Sequence, residues 1–187
     1  MQQEKAPSSS IRVKDMVLTA LMAAVLCVMS PWSLNIGPVP VSLSLFAIYL
    51  TLHLLGWKKG TVAVLLYILI GLVGIPVFSN FTGGPGKLFG PTGGFILGYI
   101  PMALLTGLLL DFIYEKTKGI KAVILTVIGS FVCTWVLYLL GTLWYMFSAG
   151  VTFLSAMSIT VLPFLLIDLL KNILAAVIAP VIRNRTR

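Results

Sequence analysis

From Met16 to Ile182 the chain is apolar for stretches of about twenty residues at a time, and charge enters only in short clusters or as single residues. A helix rises about 1.5 Å per residue, so twenty such residues match the roughly 30 Å hydrocarbon thickness of a bilayer. Charged residues are 10% of the 187, against about 25% in soluble domains. The pattern predicts an all-α membrane protein, a single domain over 1–187 with six transmembrane helices and short connections.

The helices are expected at about Met16–Leu34, Val41–Leu55, Thr61–Phe78, Gly94–Tyr114, Ala122–Phe147 and Met157–Ile182. Met1–Ser10, with Pro7 and three serines, reads as a flexible tail. It does not resemble a cleaved signal peptide. A turn with Pro38 and Pro40 separates the first two helices, and Trp57-Lys58-Lys59-Gly60 separates the second from the third. A glycine- and proline-rich connection, Ser79–Gly93, joins the third to the fourth.

Six crossings put both termini on one side, and the charges choose which. Lys5, Arg12, Lys14, Lys58, Lys59, Lys116, Lys118, Lys121, Arg183, Arg185 and Arg187 all fall on the terminal side. Basic residues accumulate in cytoplasmic loops, so both termini are placed in the cytoplasm of a multi-pass plasma-membrane protein. The net charge of +8 is thereby a topology signal, and no nucleic-acid partner is inferred. Cys27 and Cys133 both lie in apolar runs, which suits small buried hydrophobes better than a disulfide or metal pair.

Within the last apolar run an acid and a base stand three residues apart, at Asp168 and Lys171. Residues i and i+3 share one helix face. Measured from Met157 the acid would lie about 16 Å along the helix, near mid-bilayer. A charge there costs about 2.5–3.5 kcal/mol on insertion scales. Two readings follow: an ion pair that pins helix packing, or a polar binding site inside the membrane.

The Ser79–Gly93 connection bears on that choice. Loops beyond about 12 residues are usually functional or disordered, and this one carries Phe81, Leu88 and Phe89 among its glycines, with Phe78 just before it. Glycines such as Gly84 permit close backbone approach, and irregular backbone at membrane depth must be buried in protein or line a cavity. The segment is expected to lie outside and cap a ligand pocket. It is not a nucleotide loop, since Phe81 stands where the P-loop pattern needs glycine and Leu88 follows Lys87.

Enzyme chemistry finds no footing. The single histidine, His53, excludes a zinc-protease pair, and no Gly-x-Ser-x-Gly elbow occurs. Asp111 and Asp168 lie at different depths, which argues against an acid dyad. His53 reads as a satisfied helix-end residue, and Asp111 and Glu115 as solvated acids. Trp32, Trp57, Tyr114, Trp144 and Tyr145 sit near helix ends as interfacial anchors, and Trp135 reads as packing.

Several of these stretches resemble BioY, the biotin-binding S component of energy-coupling factor (ECF) transporters. They are Pro38-Val39-Pro40-Val41-Ser42-Leu43, Gly74-Ile75-Pro76-Val77-Phe78 leading into Asn80, Gly90-Pro91-Thr92-Gly93-Gly94-Phe95, and Asp168-x-x-Lys171. Ser44 departs from the pattern, where the family would carry Gln. The resemblance implies high-affinity biotin capture from outside, no catalysis and no cofactor. It also implies two kinds of partner, a transmembrane coupling protein and a pair of cytoplasmic ATPases. A stand-alone biotin facilitator is the alternative, followed by an intramembrane enzyme.

Biotin's ureido ring offers two N–H donors and one carbonyl acceptor. Asp168, Lys171 and Asn80 have the complementary groups. Phe78, Leu88, Phe89 and Phe164 suit its apolar parts, with Trp144 or Tyr145 as further candidates; Gly84 belongs to the same expected site. Ser42, Thr92 or backbone N–H groups are expected near its carboxylate, with Lys87 as a charge partner. On the first helix Ala20 and Ala24 form a small-residue stripe. The resemblance gives that stripe the role of docking the coupling protein.

Overall fold

The computed structural model describes residues 13–35 and 39–185, the last three by backbone alone. The expected tail Met1–Ser10, Arg12, Pro38 and the side chains of Arg183, Arg185 and Arg187 lie outside that description. The chain is mostly helical. In order come α1 (Val13–Met29), β1 (Ser33–Asn35), β2 (Pro40–Ser42), α2 (Ser44–Leu72), a 3-10 turn (Ser79–Phe81) and α3 (Pro85–Leu88). Then follow α4 (Gly93–Lys116), α5 (Gly119–Ala149), α6 (Phe153–Thr160) and α7 (Leu165–Arg185).

Four helices among the described residues are long and apolar enough to cross a membrane: Ser44–Leu72, Gly93–Lys116, Gly119–Ala149 and Leu165–Ile182. Their outer faces keep large apolar side chains exposed, Leu166 at 78% and Val132 at 61% among them. Burial inside the bundle falls to small and polar-tipped residues as well as to leucines.

The third expected helix ends at Leu72 and not at Phe78, ahead of Gly74 at φ 110° and Pro76; three other expected boundaries move, each for a physical reason. The first helix stops at Met29 and not near Leu34. Pro31 lacks an N–H and disfavours helix in the residue before it, and the chain turns into a two-stranded antiparallel hairpin. Its register is Ser33↔Ser42, Leu34↔Val41 and Asn35↔Pro40.

The turn between the second and third expected helices is one residue, Gly56, with φ 73° and ψ −173°. A Cβ on Gly60 would lie 3.4 Å from the Cα of Leu52, whereas a straight helix keeps residues eight apart about 12 Å away. The halves 44–55 and 57–72 of α2 therefore double back on each other, and Lys58 and Lys59 belong to the second half. Lys59 then reaches Asp15 of α1, Nζ to Oδ1 2.7 Å.

The last expected helix is broken. α6 ends at Thr160, α7 begins at Leu165, and Pro163 sits in the gap. Asp168 is consequently in the first turn of α7, not deep within a continuous helix. A negative side chain there is favoured by the helix dipole.

The main core draws on α1, α2, α4, α5 and α7, with Val77, Phe78 and Leu88 from between α2 and α4 contributing to it. A smaller cluster, Val39, Val41, Tyr145, Ala156 and Phe164, ties the β-hairpin to α5, α6 and the α6–α7 break. Between these two clusters lies the Asp168–Lys171 pair.

Candidate functional site

Lys171 Nζ donates to Asp168 Oδ1 at 2.8 Å, and Tyr138 Oη donates to Asp168 Oδ2 at 2.9 Å. Asp168, Lys171 and Tyr138 are all buried, at 6%, 8% and 3% exposure. Lipid would not tolerate either charge alone, and here each has the other; Tyr138 completes the carboxylate.

One turn on, the polar chain continues. Asn172 Nδ2 donates to the Val127 carbonyl at 2.9 Å, and Ser130 Oγ donates to Asn172 Oδ1 at 2.8 Å. Thr134 Oγ1 caps the Ser130 carbonyl at 2.8 Å and also bonds Tyr49 Oη of α2. The α2–α5–α7 contact is thus polar within an apolar bundle, with each of these groups partnered. It locks the facing helices so that Asp168 and Lys171 hold one orientation.

Above the pair is a cavity of about 70 Å³, enough for several waters. The Asp168–Lys171 pair, Ser42 and Thr92 stand on its wall, and Phe95, Tyr99 and Phe164 supply aromatic surface. Ser42 Oγ donates to Ser44 Oγ at 2.8 Å. The wall combines a charge pair and hydroxyls with apolar surface. That division suits a ligand with a polar head and a hydrocarbon body.

Of the expected site residues, Ser42, Thr92, Phe164, Asp168 and Lys171 meet around this cavity. The others do not line it. Phe78 is fully buried under α2, edge-to-face on Tyr67 at 5.6 Å. It fits because Gly71 leaves room, since a Cβ there would be 2.1 Å from the ring. Leu88 is 5% exposed in the main core, while Phe89 is 67% exposed. Gly84, at φ 84°, donates its N–H to the Gly71 carbonyl at 2.7 Å and so stitches the α2–α4 connection to the end of α2.

Asn80 is spent on the β-hairpin. Its Nδ2 donates to Asn35 Oδ1 at 2.8 Å, and its Oδ1 accepts from Ser33 Oγ at 2.8 Å. Its φ of 59° is in the left-handed region that Asn tolerates best after Gly. Trp144 Nε1 donates to the Gly90 carbonyl at 2.9 Å, clamping the connection from α5, and Tyr145 packs in the smaller cluster. Lys87 lies on α3, outside any span, where burial pushes its ammonium pKa below the ordinary lysine value.

Ala20 and Ala24 both face outward from α1, and Ala23 faces inward at 3% exposure. They make a smooth strip on the bundle's exterior.

Sequence reasoning missed Tyr99, Tyr138, Phe95 and Ser79 on the cavity wall. Tyr99 and Tyr138 did carry a signal. Interfacial tyrosines cluster near helix ends, whereas these two sit well inside α4 and α5, where a phenol must find a partner.

A family model described as "BioY family" matches residues 1–187. A curated relative from Lactococcus lactis subsp. cremoris, described as biotin transporter BioY2, is 37% identical over 166 residues. That alignment covers 89% of this chain and 88% of the relative. Another from Thermotoga maritima, described as biotin transporter BioY, is 35% identical over 173 residues, with coverages of 89% and 92%. Among solved structures, the S-component for biotin from an ECF-type ABC transporter superposes with a TM-score of 0.80. It is 24% identical and covers 96% of this chain and 95% of its own, a likeness that establishes the fold.

Proposed function

Because the chain belongs to the BioY family, we propose that it captures biotin from outside the cell as the substrate-binding S component of an ATP-driven ECF importer. It is a transport protein and not an enzyme. The observation that carries the reading is the buried Asp168–Lys171 pair opening onto a cavity beneath the outer connection.

In this reading six segments cross the plasma membrane: α1, the two halves of α2, α4, α5 and the broken α6–α7 pair. Both termini are cytoplasmic by the placement of Lys and Arg. The outer connection, fastened by Gly84, Asn80 and Trp144, roofs the cavity. Asp168 accepts from a ureido N–H, and Lys171 donates to the ureido carbonyl while neutralising the acid. Tyr138 keeps the carboxylate turned toward the ligand. Phe95, Tyr99 and Phe164 take the thiophane ring and aliphatic chain, and Ser42 or Thr92 binds the carboxylate. Phe78, Leu88, Gly84 and Asn80 hold the roof in shape, and Phe89 remains at the surface. In the same reading ATP is hydrolysed by partner ATPases, and Ala20 and Ala24 form the contact strip for the coupling protein.

Titration calorimetry on purified protein tests the ligand. A 1:1 tight interaction with biotin is expected, together with none for thiamine, which lacks a ureido ring. Absence of heat with biotin, or equal binding of both vitamins, rejects the assignment. Uptake into vesicles lacking the coupling protein and ATPases would replace the ECF mechanism with stand-alone facilitation.

A further inference from the structure

At the opposite end of α4, about 24 Å from Phe95 by helical rise, a second and larger cavity of about 400 Å³ opens. It is bounded by His53 and Gly56 at the break in α2 and by Asp111, Tyr114 and Glu115 of α4. Acids stand one turn apart here near a helix C-terminus, opposing both each other and the helix dipole.

Among the described residues three nearby lysines are directed elsewhere. Lys58 Nζ lies 5.3 Å over the Trp57 ring, Lys116 Nζ lies 4.1 Å over the Phe112 ring, and Lys59 pairs with Asp15. Asp111 Oδ2 accepts from the Trp57 N–H at 3.1 Å, which leaves Oδ1 without a donor. Among the described residues Glu115 enters no ion pair or hydrogen bond.

His53 supplies the independent observation. It is 3% exposed, and its Nδ1 bonds Tyr114 Oη at 2.8 Å. Its Nε2 is buried with no hydrogen-bond partner, in a ring that forms part of the cavity wall. A buried ring nitrogen left unpaired is costly unless something completes it.

We infer that this cavity is a binding site for a guanidinium or ammonium group. Glu115 and the free oxygen of Asp111 provide negative charge. In the tautomer whose Nδ1 donates to Tyr114, His53 offers Nε2 as an inner acceptor. A guanidinium has five N–H donors in a planar fork and no acceptor, which matches three acceptors and, among the described residues lining the cavity, no cation. No cluster of three metal-ligating groups exists among the described residues, and the volume suits an organic cation. A Cβ at position 56 would stand 2.8 Å from Asp111 Oδ1, so glycine there also keeps that oxygen accessible. The cation is supplied either free or as an arginine of a protein docking on this face.

The sole histidine of the chain makes the test clean. Protein carrying isotope-labelled histidine is titrated in detergent with methylguanidinium, against sodium chloride at matched ionic strength. A saturable shift of the His53 resonances is expected with methylguanidinium alone. Glu115→Gln and Asp111→Asn should each weaken it by about tenfold, the loss expected for one charge-assisted hydrogen bond. Biotin calorimetry, reading the far cavity, certifies that the variants are folded. Glu115→Gln removes no internal contact and remains informative if Asp111→Asn disturbs the turn at Trp57. An unsaturable shift, the same shift with sodium chloride, or an undiminished response in Glu115→Gln overturns the inference. A second arm, which rests on the proposed ECF assembly, measures binding of the reconstituted coupling protein and ATPases. Weaker assembly by Glu115→Gln identifies a partner arginine as the cation, and unchanged assembly identifies a free one.

Discussion

Lys171→Met is the most demanding perturbation of the site, because it keeps an apolar stem of similar length and removes only the ammonium. Asp168 then keeps its bond from Tyr138 on Oδ2 and loses the 2.8 Å donor on Oδ1. The two side chains are 8% and 10% exposed, so water cannot replace that donor cheaply. Stranding one member of a buried pair costs about 3–5 kcal/mol. For a chain of this length each kcal/mol moves the midpoint by about 2–4 °C, so ligand-free Lys171→Met should melt about 6–20 °C lower. Adding Asp168→Asn removes the stranded charge, and the double variant should recover about 2–3 kcal/mol relative to the sum of the single effects.

Melting followed by intrinsic tryptophan fluorescence in detergent, on all four members of the cycle, measures this. Biotin calorimetry on the same samples should find binding lost in every variant, including the recovered double. Stability and affinity are thus expected to separate, with the pair dispensable to the fold once both charges leave and required for the ligand. A single variant melting within about 2 °C of the parent, or strict additivity in the cycle, would refute the claim that the two charges depend on each other.

Three further outcomes follow from named contacts. Tyr138→Phe leaves Asp168 Oδ2 without its donor while preserving the ring, and should weaken biotin binding by about tenfold, a loss of about 1–2 kcal/mol read by calorimetry. Gly56→Ala forces a Cβ into a left-handed φ and against Asp111 Oδ1 at 2.8 Å; it should destabilise by about 1–3 kcal/mol, read as a lower melting midpoint. Lys87 has a folded pKa below its unfolded value of about 10.5, so the unfolded state holds the proton longer. Resistance of the outer connection to proteolysis should therefore rise with pH across the window below 10.5, and Lys87→Gln should abolish that rise.

Much of the architecture was legible because lipid imposes a harsh and simple rule. Uncharged runs must be helical, and this marked the helices near Gly94–Tyr114 and Ala122–Phe147 within a few residues of their observed ends. Where the chain breaks a helix with one residue the rule says nothing. A lone Gly56 reverses the chain, and the Pro163 gap divides the last run, because backbone dihedrals and proline's missing donor are local facts that hydropathy averages away. Asp168 and Lys171 stood out as isolated charges in an apolar run. Tyr138 and Tyr99 did not, since a tyrosine carries too little polarity to break that run. The Asn80 side chain looked suited to a ligand, and its contacts go instead to Asn35 and Ser33.

Composition and spacing alone determined that this chain belongs in a bilayer, which end of each helix is basic, and that one acid and one base share a helix face. The arrangement in space decided what those charges meet. Cavity walls are assembled from residues as distant as Ser42, Thr92, Tyr138 and Lys171, brought together by helix packing that no local window records. Burial, the quantity that turns an ion pair from a solvated ornament into a constraint, belongs to the folded chain and to no residue by itself.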